Sequence, residues 1–301
     1  MNELQEKILK LKEKKGALIL SHYYQPTDVQ EVSDHVCDSF EMARRASDAQ
    51  QRLLVICGVH FMAESAKVLS PQKKVLLPAR DAGCPMADMI TSEDITALRE
   101  RHPGAAVVCY VNTPASVKAV CDVCCTSSSA EKIVRSLPEK KVIFVPDKNL
   151  GAYVAARVPE KEFVFFDGFC YVHDRVSAQD VLDAKRSHPG AMLLVHPECR
   201  WEVQVLADYI GSTAGIIDEA LRSSGGEYII GTEIGVVDRL RRLAPDKRFH
   251  PLINDFVCSD MKKTRLPDVL FSLETEGFEV RLDQSMIEAA SLSLDRMVRM
   301  G

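Results

Sequence analysis

The chain repeats itself three times at the points where polar side chains interrupt apolar runs. His22, Tyr110 and His196 are 88 and 86 residues apart, and each closes a short apolar run: Ala17-Leu18-Ile19-Leu20, Ala106-Val107-Val108 and Met192-Leu193-Leu194-Val195. Two residues after each stands another polar side chain, Tyr24, Asn112 and Glu198, and seventeen after each stands a hydroxyl, Ser39, Ser127 and Thr213. Cys84, Cys170 and Cys258 follow at 62, 60 and 62 residues. Chance supplies one such interval easily, but not the same beat at several polar positions. A fixed period of this kind marks an internal repeat. It constrains the chain to three like units, each bringing one cysteine and its own polar set toward one centre.

Each repeat reads as two strand–loop–helix halves. In the first, Ala17–Leu20 leads through a loop to a helix near Asp28–His35 and a second helix over Phe40–Ala49. Leu53–Cys57 then leads to a helix at Met62–Leu69, a strand at Val75–Leu77 and the cysteine loop Ala79–Pro85. His102-Pro103-Gly104 and His188-Pro189-Gly190 punctuate the same point before the leading strands of repeats two and three. Strands alternating with helices of this length predict parallel α/β units. The expected fold is therefore α/β, with three similar parallel-sheet domains related by a pseudo-threefold axis and the active site at their common centre. The expected spans are 1–101, 102–187 and 188–301. In such sheets ligands bind beyond the carboxyl ends of the strands, where the polar loops emerge.

Composition narrows the partners. With 301 residues, 46% apolar and 27% charged, the chain is globular in character. A net charge of −5 without a basic block argues against nucleic acid. No apolar stretch approaches the roughly 20 residues that span a bilayer. Met1–Lys15 alternates Leu and Ile with Lys and Glu and has no apolar signal core, so a soluble cytoplasmic protein is expected. Ten cysteines in a reducing compartment do not suggest a disulfide framework. Cys57 and Cys109 sit inside strand-like runs and read as buried small hydrophobes.

Cys84, Cys170 and Cys258 interrupt polar loops and are the candidate metal ligands. Three thiolates converging from separate units suit zinc or an iron–sulfur cluster. Zinc sites usually take local Cys-x-x-Cys pairs, which these three lack. Cys121-x-x-Cys124-Cys125 has that spacing but no second half; packing and thiol redox chemistry compete with metal binding there. A [4Fe–4S] cube on three cysteines leaves one iron open as a Lewis acid. Beside it, His22, Tyr24, His196 and Glu198 suit proton transfer, and Tyr110 and Asn112 suit hydrogen bonding to carboxylates. Thr126-Ser127-Ser128 and Ser212-Thr213 precede expected helices, as Ser39 does. There they serve as helix caps or as the hydroxyls of a phosphate or carboxylate site.

These residues resemble the quinolinate synthase family over nearly the whole chain. The stretches that carry the resemblance are Ser21-His22-Tyr23-Tyr24, Phe61–Lys67, Ala82–Asp88, Tyr110-Val111-Asn112, Thr126-Ser127-Ser128, Pro146–Gly151, His196-Pro197-Glu198-Cys199, Gly211-Ser212-Thr213, Gly231-Thr232-Glu233 and Met261-Lys262-Lys263. The resemblance implies a triangular three-domain fold and a [4Fe–4S] cluster on Cys84, Cys170 and Cys258. It implies condensation of iminoaspartate with dihydroxyacetone phosphate to quinolinate, phosphate and two waters. A separate aspartate-oxidising enzyme would supply the iminoaspartate. By position, Ser39, Tyr110 and Asn112 would hold carboxylates, and Ser127, Ser212 and Thr213 the phosphate. Tyr24, Glu198, His22, His173 and His196 would serve proton transfer and positioning.

Two departures stand out. Some family members carry Cys-x-x-Cys-x-x-Cys at the third ligand, whereas Cys258-Ser259-Asp260-Met261 offers one cysteine. Ser129 stands where asparagine is expected. Two rival readings share the cluster: a hydro-lyase on a small carboxylic acid, which needs no phosphate site, and an iron–sulfur sensor, which needs a partner-binding patch.

Overall fold

The structure, a computed structural model, describes residues 2–301; Met1, where the first expected span begins, lies outside the described residues. The apolar runs become the central strands of three sheets. The first unit runs α1 (Glu3–Lys15), β1 (Ala17–His22), α2 (Thr27–Val32), β2 (His35–Cys37), α3 (Ser39–Asp48), β3 (Leu53–Cys57), α4 (His60–Leu69) and β4 (Lys74–Leu76). The second repeats the order with α5 (Ser92–Arg101), β5 (Ala106–Tyr110), α6 (Ala115–Lys118), β6 (Val123–Cys125), α7 (Ala130–Ser136), β7 (Lys141–Val145), α8 (Lys148–Arg157) and β8 (Glu162–Phe165). After the short α9 (Tyr171–Asp174), the third has α10 (Ala178–Ser187), β9 (Met192–Val195), α11 (Trp201–Gln204), β10 (Tyr209–Ile210), α12 (Thr213–Arg222), β11 (Glu227–Gly231), α13 (Gly235–Leu243) and β12 (Arg248–Pro251). Two helices, α14 (Leu266–Thr275) and α15 (Gln284–Met300), complete the chain.

All three sheets are parallel and have one strand order: β2-β1-β3-β4, β6-β5-β7-β8 and β10-β9-β11-β12. In each the first and third strands are central. β1, β3 and β5 are buried along their whole length, as strands covered on both faces must be, which is why they read as unbroken apolar runs. The turn from leading helix to leading strand passes through a left-handed glycine each time, Gly16, Gly104 and Gly190, at φ of 57°, 78° and 91°. That conformation strains any residue with a Cβ. Among the described residues no helix is long and apolar enough to cross a membrane.

The structure adds one strand per unit to the expected three. The helix expected to reach His35 stops at Val32, and His35–Cys37 pairs with Leu20–His22. Edge strands of two or three residues have no periodicity to read; pairing alone defines them. An aspartate at one repeat position holds each in register. The N–H groups of Ile19, Val107 and Leu193 donate to the carboxylates of Asp34, Asp122 and Asp208 at 2.8, 2.7 and 2.7 Å. The aspartates' own N–H groups return the bond to the carbonyls of the same residues at 2.9, 3.1 and 2.9 Å.

The last forty or so residues follow the third sheet in sequence but pack elsewhere. α14 lies against α1, α2 and β3, and α15 against α4, α6 and β6. Glu276, at the end of α14, pairs with Lys15 at 2.9 Å and Lys74 at 2.7 Å. Ser293 Oγ of α15 donates to the Lys118 carbonyl, and Arg296 to that of Asp122, both at 2.8 Å.

The repeated aspartate tie yields a stability prediction. Asp34→Ala, Asp122→Ala and Asp208→Ala will each lower stability by about 1–3 kcal/mol, because a central-strand N–H loses its charged acceptor. Measured by urea unfolding, the three losses will add, since the sites share no partners.

Candidate active site

Of the ten cysteines, seven are buried and three, Cys84, Cys170 and Cys258, are partly exposed. These three line one cavity of about 50 Å³, with Tyr24, Asn112, His173 and Glu198. A second cavity, also of about 50 Å³, is lined by His22, Ser39, Tyr110, Ser127, His196 and Thr213. The two share Tyr24, Asn112, Glu198 and Met261. The repeat positions thus sort by layer: cysteines on one side, strand-end residues and hydroxyls on the other, and the residues two beyond each strand end on the wall between.

Local ties explain this convergence. The N–H groups of His60, Lys148 and Ile234, at the start of the fourth helix of each unit, donate to the carbonyls of Ala82, Gly168 and Phe256 at 2.9, 2.9 and 2.8 Å. Each of those carbonyls lies two residues before a cysteine. Buried carboxylates reinforce two of the loops: Asp147 accepts from the Cys170 N–H at 3.1 Å and Glu233 from that of Cys258 at 3.4 Å. On the other loop of each unit, a buried side chain donates to the backbone. Gln30 Nε2 donates to the carbonyls of Tyr23 and Gln25, and Gln204 Nε2 to those of Pro197 and Cys199. Lys118, fully buried at the equivalent position, donates to the Thr113 carbonyl.

A short helical turn follows each cysteine: Ala87–Met89, α9 and Asp260–Lys262. Burial pushes all three free thiols up, Cys258 to about 11. The N–H groups of Met86 and Ala87, of His173, and of Asp260 and Met261 work against it at Cys84, Cys170 and Cys258 respectively. Amide donors aimed at three thiols from three units suit thiolates bound to an iron–sulfur cluster, which such hydrogen bonds stabilise. The donor set and its surroundings therefore fit the group.

The acid–base residues form a connected chain. Tyr24 Oη lies 3.0 Å from Thr213 Oγ1 and 2.8 Å from Thr232 Oγ1. Thr232 Oγ1 is 3.0 Å from His173 Nε2, and His173 Nδ1 is 2.8 Å from Glu198 Oε2 and 3.2 Å from Cys170 Sγ. A carboxylate only accepts, so His173 donates from Nδ1. Burial alone would raise the Glu198 carboxyl, but the charges of His196 and His173 and hydrogen bonds from His173 and Tyr110 bring it down to about 2. Burial, with the Glu198 charge, raises the Tyr24 and Tyr110 hydroxyls well above their ordinary value, so both stay protonated.

His22 and His196 share a motif. Each ring accepts at Nδ1 from the N–H two residues on, Tyr24 at 3.2 Å and Glu198 at 3.3 Å. That leaves Nε2–H as the donor facing the second cavity. Burial lowers them to about 3 and about 4 respectively, so both are neutral near pH 7. His196 Nε2 lies 3.3 Å from Ser127 Oγ. Lys262 donates to the Tyr24 carbonyl and pairs with Glu233 at 2.9 Å, a cation beneath the site.

The hydroxyls stand where three helices begin. Ser39 opens α3, Ser127 precedes α7 and Thr213 opens α12, so the N-terminal dipole ends of one helix per unit face the second cavity. Ser212 does not line it; its Oγ accepts the Gly215 N–H at 3.1 Å as the cap of α12. Ser129 fastens the preceding turn by accepting the Thr126 N–H at 3.0 Å. The carbonyl oxygen of Asn112 has no partner among the described residues. Cys121, Cys124 and Cys125 lie buried away from both cavities, and the Cys124 thiol packs against Ser293 Oγ at 3.3 Å. The sequence reading named Asp147, Thr232 and Glu233 within the stretches that carry the resemblance but gave them no role, although Asp147 and Glu233 stand 86 residues apart, on the beat of the repeat.

The comparisons with known proteins agree in direction and extent. The family model described as quinolinate synthetase A protein matches residues 6–299. The quinolinate synthase of Caldicellulosiruptor bescii is 51% identical over 298 residues, covering 99% of this chain and 98% of its own. That of Methanoregula boonei is 53% identical over 295 residues, covering 98% and 97%. That of Clostridium perfringens strain SM101 is 46% identical over 299 residues, covering 99% of each. With matches spanning essentially its whole length, the chain belongs to the quinolinate synthase family of enzymes.

Proposed function

We propose that this enzyme condenses iminoaspartate with dihydroxyacetone phosphate to give quinolinate, phosphate and two waters, a step of NAD biosynthesis, using a [4Fe–4S] cluster held by Cys84, Cys170 and Cys258. The observation that carries the reading is the pair of cavities with a common wall. One has three thiols from three units; the other has hydroxyls at three helix starts; Tyr24, Asn112 and Glu198 stand between them. When bound on three thiolates, the cluster supplies an open, Lewis-acidic iron.

The chain's own residues do the rest. Ser127 and Thr213, with the helix start that Ser212 caps, hold the phosphate, and the neutral His196 donates from Nε2 beside Ser127. Ser39 holds a carboxylate, and Tyr110, whose O–H is given to Glu198 in the free site, turns it to a substrate carboxylate on binding. The unpartnered oxygen of Asn112 accepts a substrate N–H or O–H, which leaves its amide N–H groups for a carboxylate. His22 donates from Nε2 on the opposite side. Glu198, ionised and held low, accepts the His173 Nδ1–H, and through His173 and Thr232 it orients the Tyr24 hydroxyl for proton transfer with the substrate. The reaction is redox-neutral, so it needs neither a flavin nor a nicotinamide; a separate aspartate-oxidising enzyme supplies the iminoaspartate.

An anaerobic assay of the iron-reconstituted protein with both substrates, scoring quinolinate with iron and sulfide content, tests the reading. Cys84→Ala will lose both cluster and quinolinate. A full cluster with no quinolinate would retire the proposal in favour of a hydro-lyase or a sensor.

Ser127→Ala and Thr213→Ala will each raise KM for dihydroxyacetone phosphate roughly tenfold, the cost of about one charge-assisted hydrogen bond. Unchanged KM values would remove the phosphate from this cavity.

The neutral state of His196 has a pH signature. Its folded pKa, about 4, lies below the ordinary histidine value of 6.5, so between them the unfolded chain binds the extra proton. Stability from this group is complete above pH 6.5 and falls as pH drops toward 4. In urea midpoints measured across that window, His196→Asn will show a shallower fall than the parent protein.

A further inference from the structure

We infer that the third unit carries a divalent transition-metal site, formed by His188, Glu227 and His250 and separate from the two cavities. His188 closes α10, Glu227 opens β11 and His250 lies in β12. All three side chains are partly exposed, at 31%, 23% and 25%. One ligand atom from each lies within 4.8 Å of the other two. His188 Nδ1 is 3.5 Å and His250 Nε2 is 2.9 Å from Glu227 Oε1. Ligands about 2.0–2.1 Å from a tetrahedral or octahedral ion stand roughly 2.9–3.4 Å apart, so the carboxylate oxygen lies near such an edge from each imidazole nitrogen, the shorter edge now spanned by the His250–Glu227 hydrogen bond.

The surroundings favour the same use. Arg248 donates to Glu227 Oε2 at 2.8 Å, which fixes the carboxylate and leaves Oε1 turned toward the imidazoles. The two rings now stack with centroids 3.6 Å apart and planes at 17°, so one ring must swing out of the stack before both in-plane nitrogen lone pairs point at one ion. Two imidazoles and a carboxylate suit Zn²⁺, Co²⁺, Ni²⁺ or Cu²⁺ rather than Mg²⁺ or Ca²⁺. Three protein ligands leave at least one position for water.

The fold itself does not require this trio. The equivalent positions hold Lys14, Leu53 and Leu76 in the first unit and His102, Lys141 and Val164 in the second. In the second unit Lys141 and Glu162 pair at 2.8 Å, the charge-reversed form of the Glu227–Arg248 pair. One ion pair thus bridges those strands without a histidine. The third unit adds two imidazoles to that bridge, and an ion there would tie α10, β11 and β12 together and stabilise the unit as it fills.

The test is an anaerobic titration of the cluster-loaded full chain with Co²⁺, followed by absorption spectroscopy, with zinc as competitor. One equivalent per chain will bind with weak ligand-field bands and no sulfur-to-cobalt charge transfer, and zinc will displace it. His250→Ala and the near-isosteric Glu227→Gln will lose that equivalent while keeping the parent's circular dichroism and iron content. Stoichiometric binding that survives in Glu227→Gln, charge transfer from sulfur in the bound equivalent, or no stoichiometric binding by the parent chain would each overturn the site.

Discussion

One backbone hydrogen bond, made three times, fixes where this protein's chemistry can happen. The first N–H of each unit's fourth helix reaches across to the carbonyl two residues before the cysteine, at 2.8–2.9 Å in every unit. A helix start has N–H groups to spare, and a loop leaving a parallel strand has carbonyls to satisfy. Joining them holds each thiol at the carboxyl end of its sheet. Without that bond the cysteine loops, which carry no regular structure before the following turn, would lose the one backbone tie common to all three. Asp147 and Glu233 repeat the restraint from buried side chains. The first unit has Val59 at that position, and there Lys263 Nζ donates to the carbonyl of Asp81, three residues before Cys84, at 2.6 Å.

The electrostatics follow from the same enclosure. Burial keeps His22 and His196 neutral and the tyrosine hydroxyls protonated, while Glu198 stays ionised because His173 and Tyr110 donate to it. Glu198 is the carboxylate on the wall that the cavities share, and Asp38, which caps α3, is a second one lining the hydroxyl cavity. The starts of α3, α7 and α12 supply opposing positive potential without placing a formal cation in the cavity.

Much of this was legible in the sequence because the repeat beat acts on geometry directly. Residues at equal distances along equal units end at equivalent places, so Tyr24, Asn112 and Glu198 meet on one wall although 88 and 86 residues separate them. The long apolar strands were legible for the same reason that they are central: both faces are covered. Features defined by backbone pairing escaped. Tyr209-Ile210 is a strand only because β9 lies beside it. Asp34, Asp122 and Asp208 look like solvent-facing charges until their amide partners are known. Gly231-Thr232-Glu233 stands out in the sequence, but the place of Thr232 between Tyr24 and His173 depends on how two units meet. Nor does chain order show that α14 and α15 pack on the first two units.

The wall between the cavities has a further consequence. Three separate copies of one such unit, assembled as a ring, would present the same residue at all three corners. Such a ring could hold a symmetric inorganic group, but every corner would treat an approaching molecule alike, and unlike ends of a molecule would bind in three indistinguishable orientations. Linking the units in one chain frees each corner to differ. Here the corners are a phenol, an amide and a carboxylate. The backbone scaffold keeps its threefold likeness while the surface it presents differs at each corner, so unlike ends of a bound molecule can be told apart and seated in a single orientation.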